Sequence, residues 1–164
     1  MKSGLTIRAD LSGKILQALK EVGKKDVLVG IPESKSERDD SGIGNAAIGY
    51  INENGSPAQS IPARPHLVPG IRKAQAETLP LLKSAAQSIL TGDGSAANRD
   101  LNQAGFLAAN TVKMYIRDAG FVPLSPVTIS KRLRKGRTGD APLIDTGKYR
   151  DSITYVVRDK DANS

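Results

Sequence analysis

Few side chains in this sequence are equipped for chemistry, and their spacing narrows the choice further. There is one histidine, His66, and no cysteine. The lack of cysteine removes disulfides, thiol nucleophiles, thiolate metal sites and iron–sulfur clusters. His66 sits between Pro65 and Leu67. A zinc site needs several ligands and no others gather near it in the sequence. The expectation is a packed or hydrogen-bonded histidine. Asp39-Asp40 is a carboxylate pair in a charged stretch with Gly42 and Gly44 close behind. Acid–base work on a substrate needs two carboxyls at a fixed separation. A mobile loop does not hold one, so the pair is read as solvated. Asp145-Thr146-Gly147 has the tripeptide of aspartic proteases, but a single copy could act only in a symmetric dimer, and Lys148-Tyr149-Arg150 follows it. The other reading is a structural turn, with the Asp side chain on backbone N–H groups and Gly147 at positive φ. Gly42, Gly44 and Gly49 match neither a phosphate-loop nor a dinucleotide spacing. No catalytic, metal or cofactor site is expected, and the chain is read as not an enzyme.

The densest charge feature is Lys131, Arg132, Arg134, Lys135 and Arg137, with no acidic residue before Asp140. It reads either as a solvated helix end, where cations also suit the helix dipole, or as a contact for DNA phosphates or an acidic partner. No aromatic residue interleaves it, so base stacking is not expected. No recognition-helix motif stands out either. The whole chain carries 24 Lys and Arg against 17 Asp and Glu, a net charge of +7. That favours anionic company without fixing a fold or an activity.

These residues must be positioned by a chain of 164 residues, a length that suits one domain, here 1–164. Aromatics are only 4% and Trp is absent, so the core must be aliphatic and alanine-rich. Leu11, Ile15, Leu19 and Val22 make one apolar face of a short helix closed by Gly23. Residues 26–31 are β-branched and apolar, a strand stopped by Pro32. Residues 33–45 are polar and glycine-punctuated, a mobile loop. Residues 46–52 form a short helix or turn, broken at Asn54-Gly55-Ser56-Pro57. Residues 68–90 form a helix with Pro69 in its first turn and a bend at Pro80. Its inward stripe is read as Ile71, Ala74, Leu79, Leu82, Ala85, Ala86 and Leu90. Residues 95–119 form the clearest helix, with Leu101, Ala104, Ala108, Val112, Tyr115 and Ala119 on one face. Ala104, Gly105, Ala108 and Ala109 would let another backbone approach, within the subunit or across an interface.

Ser125-Pro126 caps and starts a helix running to about Arg134. Residues 135–139 are a basic loop, 141–144 are extended and 152–158 alternate like a strand. Residues 159–164 form a polar, frayed tail. No apolar run is long enough to span a bilayer, and residues 1–10 hold no signal-peptide core. The expectation is a soluble protein, folded in a cytoplasm, with no membrane partner.

Two segments are similar to a known pattern. Residues 46–55 (AAIGYINENG) lead to Ile61-Pro62-Ala63-Arg64-Pro65-His66-Leu67, and Pro123-Leu124-Ser125-Pro126 precedes Pro142-Leu143-Ile144-Asp145-Thr146-Gly147 and Ser152-Ile153. Their order and spacing resemble the phage virion-morphogenesis proteins, the neck and tail-completion proteins of tailed double-stranded-DNA phages. The match spans roughly residues 46–157. His66 stands where that pattern usually has Phe, and Tyr149 where it usually has Leu. The resemblance implies an α+β fold, with a small, mostly antiparallel sheet packed against two long helices plus short helices. It implies a structural virion protein, made in the bacterial host cytoplasm and built into the head–tail junction. There it would form a homomeric ring, often sixfold, that joins the head connector to the tail. Its partners would be copies of itself, a head-closure or connector protein and tail terminator or tail tube proteins. If the basic loops faced the lumen, they would meet packaged DNA through its phosphates.

Ile61, Pro62, Ala63, Arg64 and Pro65 form the expected subunit or partner interface. Two prolines fix φ and push their predecessors into extended geometry, making a stiff arm. A stiff arm loses little entropy on docking. Arg64 either reaches across that contact or pairs inside its own subunit. The alternative to the ring is a stand-alone basic nucleic-acid-binding module.

Overall fold

A computed structural model describes residues 12–38 and 42–160. Leu11, Asp39, Asp40 and residues 161–164 of the tail lie outside the described residues. The elements run α1 (Ser12–Lys24), β1 (Lys25–Gly30), α2 (Asn45–Asn54), α3 (Leu67–Leu90), α4 (Gly94–Asp118), α5 (Pro126–Arg134), α6 (Lys148–Ser152) and β2 (Thr154–Asp159). This is an α+β fold, in which two long helices pack together beside a two-stranded antiparallel sheet.

The α3–α4 hairpin is the frame. Gly92 takes φ +83°, a left-handed conformation that glycine adopts without a Cβ clash. The Asp93 carboxylate then accepts from the Ala96 N–H at 2.8 Å and caps α4. The buried positions of α4 are Ala97, Leu101, Ala104, Gly105, Ala108, Ala109, Val112 and Ile116. The four small residues are thus spent inside the subunit. A Cβ on Gly70 of α3 would lie 2.8 Å from the Val112 Cα, and one on Gly105 would overlap the Tyr155 ring of β2.

That close approach corrects the expected stripe of α3. Its buried residues are Gly70, Ala74, Thr78 and Ala85, whereas Leu79, Leu82 and Leu90 are exposed. Where two backbones come near, small side chains take the seam and large ones are displaced to the flanks. The helix continues on both sides of Pro80, which is itself exposed. Helix α1 also differs from expectation. Ala18 and Val22 are its half-buried apolar residues, while Ile15, Leu16 and Leu19 are more than half exposed.

β1 pairs with β2 from Lys25↔Asp159 to Gly30↔Thr154. Alternation turns Val27, Val29, Tyr155 and Val157 toward the helices, and Leu28 and Val156 outward. Val27 and Val157 pack on Ala85, Ala97 and Leu101. A second cluster joins Val112, Ile116, Tyr149 and Ile153, with Ile48, Leu67, Ile71, Leu143 and Ile144 against them. Residues 141–144 are not extended as expected. Pro142-Leu143 forms a turn with Leu143 at φ +63°, and α6 occupies the stretch just before β2. Of the polar stretch 33–45, Asn45 is buried at the start of α2. Its side chain donates to the Lys35 carbonyl at 3.0 Å and accepts from Arg38 at 3.1 Å.

Candidate functional site

The proline-bracketed arm and the Asp145-Thr146-Gly147 turn are about eighty residues apart, and the fold brings them to one place. The arm leaves α2 at Gly55, whose φ of +79° and close packing on the Ala63 backbone leave no room for a side chain. The Arg64 N–H donates to the Asn52 carbonyl at 2.6 Å. From Ala63 to His66 the side chains alternate between solvent and core. Pro62, Ala63 and Pro65 face out, while Arg64 and His66 are buried.

Arg64 settles between its two sequence readings. Its Nε donates to the Val122 carbonyl at 2.9 Å and its Nη2 to the Pro123 carbonyl at 3.1 Å. At 6% exposure it is an internal strut tying the arm to the segment ahead of α5. It is therefore corrected as a docking side chain: a guanidinium spent on two carbonyls inside the subunit does not reach a neighbour. The outward residues of the arm are Pro62, Ala63 and Pro65.

His66 is wholly buried. Its Nδ1 lies 2.8 Å from the Arg64 carbonyl and 3.1 Å from the Glu53 carboxylate, both acceptors. The proton therefore belongs on Nδ1, and Nε2 accepts from the Tyr149 hydroxyl. Glu53 also accepts from three backbone N–H groups at the start of α3: His66 at 2.7 Å, Leu67 at 2.9 Å and Val68 at 3.1 Å. It thus occupies the positive end of α3. Burial raises the carboxyl pKa, but the three donors and His66 outweigh it and hold Glu53 below the ordinary carboxylate range. Burial also lowers the His66 pKa, which keeps the ring neutral, and raises that of the Tyr149 phenol.

Carboxylate, imidazole and hydroxyl follow one another as in a nucleophilic triad. The chemistry is different here, because burial disfavours the phenolate and Tyr149 is 6% exposed. The arrangement is a satisfied polar strut that crosses the core cluster. Sequence reading placed His66 as packed or hydrogen-bonded but gave no partners. Glu53 and Tyr149 lie thirteen residues before it and eighty-three after it, and no local spacing reports such pairs.

The second part of the site is α5 and the loop after it. The Ser125 hydroxyl accepts from the Thr128 N–H at 3.3 Å and caps α5, with Pro126 at its first position. Arg132 turns inward. Its Nη1 donates to the Gly139, Ala141 and Ile144 carbonyls at 2.9, 3.1 and 3.0 Å. Its Nε lies 3.5 Å from Asp145, and Arg137 forms an ion pair with the same carboxylate. Asp145 therefore serves two arginines, not the backbone N–H groups expected of the turn. Gly147 does take positive φ, at +82°, and starts α6. Of the five basic residues, Arg132 and Arg137 hold the loop. Lys131, Arg134 and Lys135 are exposed and have no ion-pair partner among the described residues. A hollow of about 400 Å³ opens between these side chains and Thr128.

Among the described residues no group of three or more His, Asp or Glu is placed to hold a metal ion, and no helix is long and apolar enough to cross a membrane. Compared with known proteins, the chain matches no family model, no curated protein and no solved structure.

Proposed function

We propose that this chain is a structural subunit of the head–tail junction of a tailed double-stranded-DNA phage. Copies of it close into a homomeric ring between the head connector and the tail, and it makes or breaks no covalent bond. The observation that carries the reading is the set of large apolar side chains the subunit leaves bare. Ile15, Leu16 and Leu19 on α1, Leu79, Leu82 and Leu90 on α3, and Phe106 and Met114 on α4 are all exposed. Large apolar side chains left bare on three helices supply the material for a contact that other protein covers.

Two further features support it. The outward residues of the arm, Pro62, Ala63 and Pro65, stand on backbone pinned by Arg64 and by Glu53 at the start of α3. A contact made by such a segment carries little ordering cost. The two segments that resemble the virion-morphogenesis pattern also meet in the core, through His66 and Tyr149, as parts of one shared fold pattern would.

Light scattering on the purified full chain tests the reading, alone and with connector and tail components. Closed oligomers, or co-assembly with a neck or tail component, are expected. A strict monomer that joins none of them, from a protein absent from purified particles, would overturn it.

A further inference from the structure

We infer that the hollow at the C-terminal end of α5 binds the phosphodiester backbone of nucleic acid without regard to sequence. Lys131, Arg134 and Lys135 make the contacts, and Arg132, Arg137 and Asp145 form the base that holds them. This goes beyond the ring reading and stands on separate observations.

The first is placement. Thr128, Lys131 and Arg134 follow one another at intervals of three along α5 and share one helix face, and Lys135 follows directly as the residue that caps its C-terminal end. All four line the hollow of about 400 Å³. Ammonium, guanidinium and hydroxyl donors on one stripe are the groups that contact phosphate oxygens.

The second is the division of labour within the cluster. Arg132 gathers three carbonyls of the loop, and Asp145 neutralises Arg132 and Arg137. The loop is fixed at the expense of two cations, and the other three are left facing solvent. A cluster that served only to complement the helix dipole would not need this anchored floor.

The third is what the hollow lacks. Its lining is Thr128, Lys131, Arg132, Arg134, Lys135, Arg137 and Asp145, with no aromatic or large aliphatic residue. A protein partner normally needs a buried apolar or aromatic anchor at the centre of its contact. Phosphate binding does not, because it draws on charge and counterion release. The same lack of aromatics removes base stacking, and with it base preference.

The test is fluorescence anisotropy of the full chain with a labelled random-sequence DNA duplex over a salt series. Wild-type affinity should fall linearly in log–log form. Replacing Lys131, Arg134 and Lys135 together by Ala should make the slope shallower by about 2.7, at 0.9 per lost phosphate contact. Replacing Arg72, Lys83 and Arg99 together by Ala removes the same charge elsewhere and should leave the slope nearly unchanged. The pair Lys131→Arg and Lys135→Arg should retain binding. Circular dichroism should show the same melting temperature for all variants, since the substituted side chains are exposed. An equal loss in both triple-alanine variants would overturn the inference, because net charge alone would then be acting. Absence of salt-dependent binding would also overturn it. So would displacement of the duplex by poly-glutamate as readily as by unlabelled DNA, which would point to an acidic protein, or by tripolyphosphate more readily than by DNA, which would point to a small ligand. None of these results bears on whether the chain forms a ring.

Discussion

His66 and Tyr149 are two of the positions where the sequence leaves the pattern it resembles, with His for Phe and Tyr for Leu, and they touch each other. An apolar contact would need no partners. This one needs all of them, and Glu53, the Arg64 carbonyl and the Tyr149 hydroxyl supply them. His66→Phe would orphan the Tyr149 hydroxyl in the core and should cost about 1–3 kcal/mol. Adding Tyr149→Phe removes the orphan and should recover most of that loss. Urea midpoints at unchanged slope measure both steps, and a double variant no better than the sum of the singles would show that the two groups are not coupled. The same residues set a pH dependence. Burial lowers the His66 pKa from its ordinary 6.5, so the unfolded chain takes up the proton first and stability falls as pH drops below that value. The Glu53 carboxyl is held below its ordinary 4.5. Its contribution is complete above that value and is lost as pH falls toward the folded pKa. The melting temperature should decline in two stages, the upper one setting in below pH 6.5 and the lower one below pH 4.5, and His66→Phe should flatten only the upper one. An unaltered profile in that variant would mean that His66 is not the group that titrates.

Among the elements, what the sequence disclosed depended on the kind of signal each one carried. α4 was legible because its caps are local and its buried face repeats over 25 residues. α5 was legible from Ser125-Pro126 alone. α6 was not, since five residues hold no period, and its role is to present Tyr149 and Ile153 to the core. The face of α3 is legible only in part: Ala74 and Ala85 are buried as expected, whereas hydrophobicity alone misplaces the leucines. Leu79 and Leu82 outrank Thr78 in hydrophobicity, yet Thr78 is buried, its hydroxyl donating to the Ala74 carbonyl at 3.0 Å. The arm and the basic cluster were visible as motifs, but which of their cations point inward was not. That depends on carbonyls and a carboxylate supplied by other segments. Gly105 tests the close-approach argument. In an exposed helix, Gly→Ala would stabilise by about 1 kcal/mol. Here the new Cβ meets the Tyr155 ring, so Gly105→Ala should instead destabilise by about 1–3 kcal/mol. Thermal melts give the sign. A gain would mean that β2 yields and that α4 and the sheet are not tightly packed.

At the scale of the whole molecule, the proposed ring raises the question which of the bare apolar side chains would form its interface. α1 offers the cleanest case. Ala18 and Val22 are its half-buried apolar residues, while Leu16 and Leu19 stand 59% and 53% exposed. Exposed side chains add little to a subunit's own stability, and substitutions there usually stay within about 0.5 kcal/mol. Leu16→Gln with Leu19→Gln keeps good helix formers in place while removing the apolar surface. The isolated subunit should therefore melt within a few degrees of wild type. If α1 packs on a neighbouring copy, the same double variant loses the apolar burial that the contact supplies, and oligomers should dissociate at concentrations where wild type remains assembled. Light scattering and a melting curve on one preparation separate the cases. Lost assembly with an intact subunit assigns α1 to the interface. A fall in melting temperature would instead place those leucines in the fold of the subunit, and unchanged assembly would move the interface to the flanks of α3 and α4.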